Sequence, residues 1–241
     1  MFVTPYGIGV RSYAGTALMR PNIVSVAPLI SNTAADWTTQ TFNFASSTGN
    51  LVVLFAARSN ASNPVGFSAT WAGGALTEEE DVEINAVNAG LGWAGWIRGA
   101  ATGNNDLVVT GGDGLQRDLL GYAISFDRLA ATPIGAKTGA SVNTSQSSYG
   151  LTLNVQNDMS RLVGLVASMH SNQYPLALNA GWSLVSPSAR TGNGGIADIA
   201  GVCGQKAADV TGNTTMTGTT TKAGPPVTDN WCAVGLEVLP A

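Results

Sequence analysis

The sequence predicts an all-β protein: a jelly-roll-like β-sandwich built from two similar halves and preceded by an extended amino-terminal arm. Three observations lead there. No segment of eleven or more residues carries apolar positions at i, i+3, i+4 and i+7, the signature of an amphipathic helix. Short apolar runs bounded by Gly, Asn, Asp, Ser or Pro recur along the chain, as strands do. The pattern of one half also returns in the other after about 110 residues.

In chain order, residues 1–20 form the arm. It holds Phe2, Tyr6, Arg11, Tyr13 and Arg20, has no counterpart in the second half, and is punctuated by Pro5 and Pro21. Aromatic and arginine side chains on an arm without a core of its own suit docking on the domain or on a partner chain; a leader remnant lying on the surface is the plainer reading. The sandwich domain follows over residues 21–241. Its clearest strands are 51–56, 107–110, 122–126, 151–155, 162–167 and 233–239. Further candidates are 23–29, 39–44, 66–71, 92–98, 197–204 and 214–220. Twelve to fourteen short strands of this kind suit a sandwich or jelly roll.

The repeat is most explicit between residues 41–71 and 152–182. Laid over each other without a gap, they share nine identities, among them Leu51/Leu162, Ala56/Ala167, Pro64/Pro175 and Trp71/Trp182. At a shift of 110, residues 123–127 lie over 233–237. Chance overlap of Val/Ala/Leu-rich strands is the competing explanation. A duplication, with pseudo-repeats at about 22–127 and 134–239, accounts better for the shared Pro and Trp, and a jelly roll of two Greek keys accommodates two such halves. Trp71 and Trp182 read as core plugs, with sugar stacking as the alternative.

Composition narrows the function. The 30 glycines and 10 prolines are matched by only 11% charged residues, and 44% of positions are hydrophobic. Such a chain has material for a core and is neither disordered nor coiled-coil. Eleven Lys+Arg against fifteen Asp+Glu, net charge −4, disfavour nucleic acid as a partner. No run of 18 apolar residues spans a bilayer, and residues 1–20 lack the charged-then-apolar order of a secretory signal. Cys203 and Cys232 are too few for a disulfide framework and read as two buried thiols, one bridge being the alternative.

Candidate chemistry is sparse. Residues 90–95 spell G-x-G-x-x-G, but they read on into a strand rather than a helix, so a dinucleotide site is not expected. His170, the single histidine, has no hydrolase or zinc motif around it and reads as a loop-edge residue. Glu78, Glu79, Glu80, Asp81 and Glu83 form an acidic stretch. Calcium could use convergent oxygens, but alternation along a strand divides them between two faces, so a charged, pairing-resistant edge strand is the preferred reading. No catalytic, cofactor or metal residue is therefore expected, nor any cofactor.

The runs 49–57 (GNLVVLFAA), 70–76 (TWAGGAL), 103–110 (GNNDLVVT) and 123–126 (AISF), with Trp96 between, resemble β-sandwich structural proteins of tailed bacteriophages and related bacterial surface modules. The resemblance spans about residues 22–239 and carries no catalytic residue. It implies a virion location and a non-enzymatic role as a capsid decoration, spike or tail-fibre subunit. Its partners would be other virion proteins, in a homo-oligomer, a trimer by preference. The alternative is a carbohydrate-binding or adhesive module on a surface glycan. A glycan-degrading enzyme using unrecognised carboxylates is the third reading.

Overall fold

The computed structural model describes residues 19–59, 66–84, 90–111, 116–144, 146–169, 174–192, 198–220 and 230–241. All regular structure among them is strand, and every pairing is antiparallel. The first half contributes β1 (Ile23–Trp37), β2 (Thr39–Ser46), β3 (Leu51–Ser59), β4 (Phe67–Trp71), β5 (Gly74–Ala75), β6 (Thr77–Glu83), β7 (Gly90–Ile97), β8 (Gly103–Gly111) and β9 (Gln116–Phe126). The second contributes β10 (Ile134–Asn143), β11 (Ser148–Val155), β12 (Arg161–Ser168), β13 (Leu176–Leu178), β14 (Ser183–Leu184), β15 (Ala189–Arg190), β16 (Ala200–Ala207), β17 (Gly212–Thr220) and β18 (Asn230–Val238).

Four sheets result. In the first half, β1-β9-β3-β7-β6 forms one sheet and β2-β8-β4-β5 the other; in the second, β10-β18-β12-β16-β14 and β11-β17-β13 do the same, with β15 also on β16. First strand pairs with last and second with next-to-last, alternating between sheets, which is the double Greek-key wrap of a jelly roll. The sandwich class expected from sequence holds, but the division of labour differs. Each half closes a sandwich of its own, because about a hundred residues already supply strands for both of its sheets.

The hydrophobic pattern explains the layering. One core fills the first sandwich, with Leu51, Val53 and Phe55 of β3 against Trp71, Leu107 and Val109. Another fills the second, with Leu162 and Val166 of β12 against Leu151, Leu153 and Met216. A third joins the two sandwiches: Val52, Leu54 and Ala56 face Val163, Leu165 and Ala167 with Val234 and Leu236. The sheets holding β3 and β12 are thus covered on both faces. Seven consecutive residues, Leu51 to Ala57, are buried for that reason. The outer strands have one wet face and alternate instead, as in β11, where Leu151, Leu153 and Val155 are buried between exposed Thr152 and Asn154.

Register makes the correspondence of the halves explicit. Ala56 stands between Leu120 and Gly92, and Ala167 between Cys232 and Gly201. The two rows meet reciprocally across the central core. A Cβ on Gly92 would lie 3.3 Å from Cys232 Sγ and 3.0 Å from Val234 Cγ1, and one on Gly201 would lie 2.6 Å from Leu120 Cδ2. Small residues here let the inner sheets approach. The same register revises the sequence alignment of the last strands. Leu51 faces Ser125, whereas Leu162 faces Glu237, so β9 maps onto β18 at a shift of 112 rather than 110. A two-residue slip keeps every side chain on its face and leaves the hydrophobic pattern unchanged, so pattern alone could not detect it.

Trp71 and Trp182 both lie in the core of their own half, 0% and 8% exposed. Each indole N–H is donated to a backbone carbonyl, Trp71 to Ala101 and Trp182 to Thr215. Their rings are core material and are not available to stack on sugars. Cys203 and Cys232 are buried, unbridged thiols of the central core.

Candidate functional site

Three polar constellations stand on this scaffold. The first is the acidic strand β6. It is the edge of its sheet, as expected, but its carboxylates are engaged rather than merely solvated. A β-bulge between Glu78 and Glu80 distributes them. Glu78 Oε2 accepts the indole N–H of Trp93 at 3.0 Å, and Glu79 Oε1 that of Trp96 at 2.8 Å. Glu79 Oε2 also pairs with Lys137 Nζ at 2.9 Å, reaching β10 of the second sandwich. Asp81, half-buried, is pushed up to about 6 by burial and then by the charges of Glu78, Glu83 and Glu80. Burial also raises Glu80, partly offset by Lys137. No group of three or more metal-ligating side chains occurs among the described residues.

The second is the root of the arm. Phe2, Tyr6, Arg11 and Tyr13 lie outside the described residues, as does His170. Arg20 is described, and it is fastened to the second sandwich: Nη2 donates to the carbonyls of Ala208 (2.6 Å) and Asp158 (3.0 Å) and to Asp209 Oδ1 (2.9 Å). Arg161 on β12 donates Nε–H to the Pro21 carbonyl and Nη1 to Gln205 Oε1. Burial and then the neighbouring Arg20 charge lower Arg161. The chain therefore starts its first sandwich from a point pinned to its second.

The third, which sequence reasoning did not single out, is a groove of about 590 Å³ where the first sandwich meets the connection to the second. Two turns bonded to each other contribute Asn50 and Gly99 to its lining. Asn50 Oδ1 accepts the Gly99 N–H at 3.0 Å, and Ala100 N–H donates to the Gly49 carbonyl at 3.0 Å. Gly49 has φ +67°, and a Cβ there would lie 2.0 Å from the Ala100 carbonyl oxygen, so only glycine allows this approach. Trp96, Arg98, Asp127, Arg128, Leu129 and Asn50 line the groove, with Ala131 and Ala241 completing its wall. Asp127 is held by the Asn22 N–H on Oδ1 (2.9 Å) and by Arg128 on Oδ2 (3.4 Å). Arg98 is exposed and enters no hydrogen bond or ion pair among the described residues. The groove thus combines an indole whose N–H is already engaged with Glu79, an uncommitted guanidinium and an oriented Arg–Asp pair. Such a set can hold and orient a polar ligand. The signal in sequence was faint, because its members come from three separated segments: 50, 96–98 and 127–129.

The G-x-G-x-x-G of residues 90–95 is the body of β7, with no helix following it. Its glycines serve packing, Gly92 against β18 and Gly90 against Met169.

Comparison of the chain with protein-family models, curated proteins and solved structures finds no match.

Proposed function

We propose that this chain is a non-enzymatic virion structural protein, a capsid decoration, spike or tail-associated subunit that attaches to the particle through its amino-terminal arm. One observation carries the reading: the two jelly rolls share a continuous buried core, and Arg20 fastens the root of the arm to the far sandwich. A double-sandwich block with a shared core and a fastened exit point for an extended segment is what a subunit needs to be held on a larger shell in one orientation. The resemblance to phage β-sandwich modules supports the same assignment. Its partners are then other virion proteins, in a closed homo-oligomer, a trimer being what the resemblance implies. Deleting residues 1–18 tests it. The truncated chain keeps its β-sheet spectrum and loses incorporation into particles; wild-type occupancy without the arm rejects the assignment.

The groove at Trp96 supports a second reading, an adhesive module that binds surface glycan. Binding of the intact chain to a glycan array tests it independently of particle assembly.

A further inference from the structure

Resting on the adhesive reading, we propose that the groove lined by Trp96, Arg98, Asp127 and Arg128 is a binding site for a carboxylate-bearing sugar, a uronic or sialic acid unit of a surface polysaccharide. Each component supplies one part of that recognition. The Trp96 N–H is spent on Glu79 at 2.8 Å, so the indole offers the groove only its ring surface, which suits the apolar C–H face of a pyranose. Arg98 is exposed and uncommitted, and a guanidinium meets a carboxylate with two parallel N–H donors. Asp127 and Arg128, paired at 3.4 Å and braced by the Asn22 N–H, present an acceptor and a donor to ring hydroxyls. With Arg128 paired to Asp127, Arg98 is the cation the groove's side chains leave for an incoming carboxylate, and Ala241 stands on the same wall. A neutral sugar would leave the charge of Arg98 unmatched, and a bare anion would leave the ring unused. An acidic pyranose uses both.

The turns that contribute Asn50 and Gly99 are preorganised: the bonds Asn50–Gly99 and Gly49–Ala100 fix them before any ligand arrives, which lowers the entropic cost of binding. The groove is also shallow and open, so it admits one unit of a long chain without requiring an end.

The test uses the full chain, with tryptophan fluorescence and calorimetry as readouts. Trigalacturonate and a sialylated trisaccharide are the acidic probes, maltotriose the neutral control and acetate the bare carboxylate. The expected result is binding of at least one acidic probe with a change in tryptophan emission, at concentrations where maltotriose and acetate give none. Arg98→Ala should weaken it about tenfold, the scale of one charge-assisted contact, with an unchanged melting temperature. Absence of binding by both acidic probes overturns the proposal. So does equal binding of maltotriose or of acetate, or wild-type affinity in Arg98→Ala. Should the intact chain bind neutral glycans and Arg98→Ala bind them equally well, the adhesive reading stands and the groove is excluded as its site.

Discussion

Ser125 and Glu237 occupy the same place in the two jelly rolls. Ser125 faces Leu51 across the β3–β9 pairing as Glu237 faces Leu162 across β12–β18. Each is fully buried, and each ties down the turn between the second and third strands of its sandwich. Ser125 does so as one of three hydroxyls, its Oγ lying 2.8 Å from Ser46 Oγ and 3.0 Å from Thr48 Oγ1. Glu237 does so by acceptance alone. It receives the backbone N–H of Ala136, Gln156 and Asn157 at 2.8 to 3.0 Å, and shares the single Ser160 hydroxyl proton with the Asn157 carbonyl.

A group meeting three backbone N–H donors must be acceptor-only, and a carboxylate is the side chain that satisfies this. Glu237→Gln turns an amide NH₂ against at least one of those donors. The expected cost is about 2–4 kcal/mol of unfolding free energy, since a buried donor loses its partner and has no water to replace it. Chemical denaturation measures it. Ser125→Ala, which leaves Ser46 Oγ still accepting the Thr48 and Gly49 N–H groups, should cost clearly less. Equal costs would contradict the distinction.

The reciprocal glycines make a second prediction. Gly201→Val drives a branched side chain into Leu120 across the central core, where an added Cβ alone would already sit 2.6 Å from Cδ2. Overpacking of this kind costs about 1–3 kcal/mol. Combining it with Leu120→Ala should recover part of the loss, giving a double variant more stable than the sum of the singles predicts. Strict additivity would mean that the two positions do not share the contact.

Much of this architecture was legible in the sequence, and the parts that were not have physical reasons. Strand identity followed from short apolar runs, and the all-strand structure bears the fold class out. The layer order was also written there: 51–57 is continuously apolar because its sheet is covered on both sides, while 151–155 alternates because its sheet is not. What pattern could not supply was the two-residue slip between β9 and β18, since a period of two is blind to it. Glu237 was invisible for a different reason. A lone carboxylate in an apolar strand looks like a solvent-facing residue until the turn it serves is placed above it. The groove at Trp96 was hidden because three distant segments build it, and only Trp96 among its members stood out in the chain.

Asp81 gives a pH dependence with a definite sign. Its carboxyl is raised from the ordinary aspartate value of 3.8 to about 6, chiefly by burial and then by neighbouring carboxylates. The folded state therefore binds the proton more tightly than the unfolded state does. Its contribution to stability is present below about pH 4 and is lost as pH rises through 6. Asp81 is only half-buried, so solvent screening limits the effect to about 1 kcal/mol. Asp81→Asn should raise the melting temperature at pH 7 and flatten its decline between pH 4 and pH 6.5. A variant with an unchanged pH profile would remove Asp81 as the source.

Cys203 and Cys232 should resist modification in the native state. Both are buried in the central core, and burial pushes both thiols up, Cys232 to about 12. A thiol disulfide reagent reacts through the thiolate, which burial both disfavours and shields. Native protein should therefore react at both sites only at the rate at which the central core opens, and denatured protein at once. Rapid native labelling of either thiol would mean that the two sandwiches separate readily.

The last prediction concerns the pin at the root of the arm. Arg20 precedes the first sandwich in sequence and is bonded to the second, through two backbone carbonyls and Asp209. The three acceptors are unequal. The Asp209 side chain is 77% exposed, so its ion pair with Arg20 is screened and contributes little. The carbonyl of Ala208 lies at 2.6 Å in a partly buried setting and is the stronger contact. Arg20→Ala should therefore cost about 1–2 kcal/mol, and Asp209→Ala a few tenths. Stability alone does not separate the pin from ordinary packing, so cleavage supplies the second readout. With Arg20 gone, the chain near Met19 and Pro21 loses three bonds to the second sandwich and keeps the Arg161 bond to the Pro21 carbonyl and the Asn22–Asp127 bonds, so limited proteolysis ahead of Pro21 should accelerate while the sandwiches stay intact. Asp209→Ala should leave the cleavage rate close to wild type. Should the two variants behave alike in both measurements, the backbone carbonyls are not what hold the arm's root, and the fixed exit point on which the attachment proposal depends is lost.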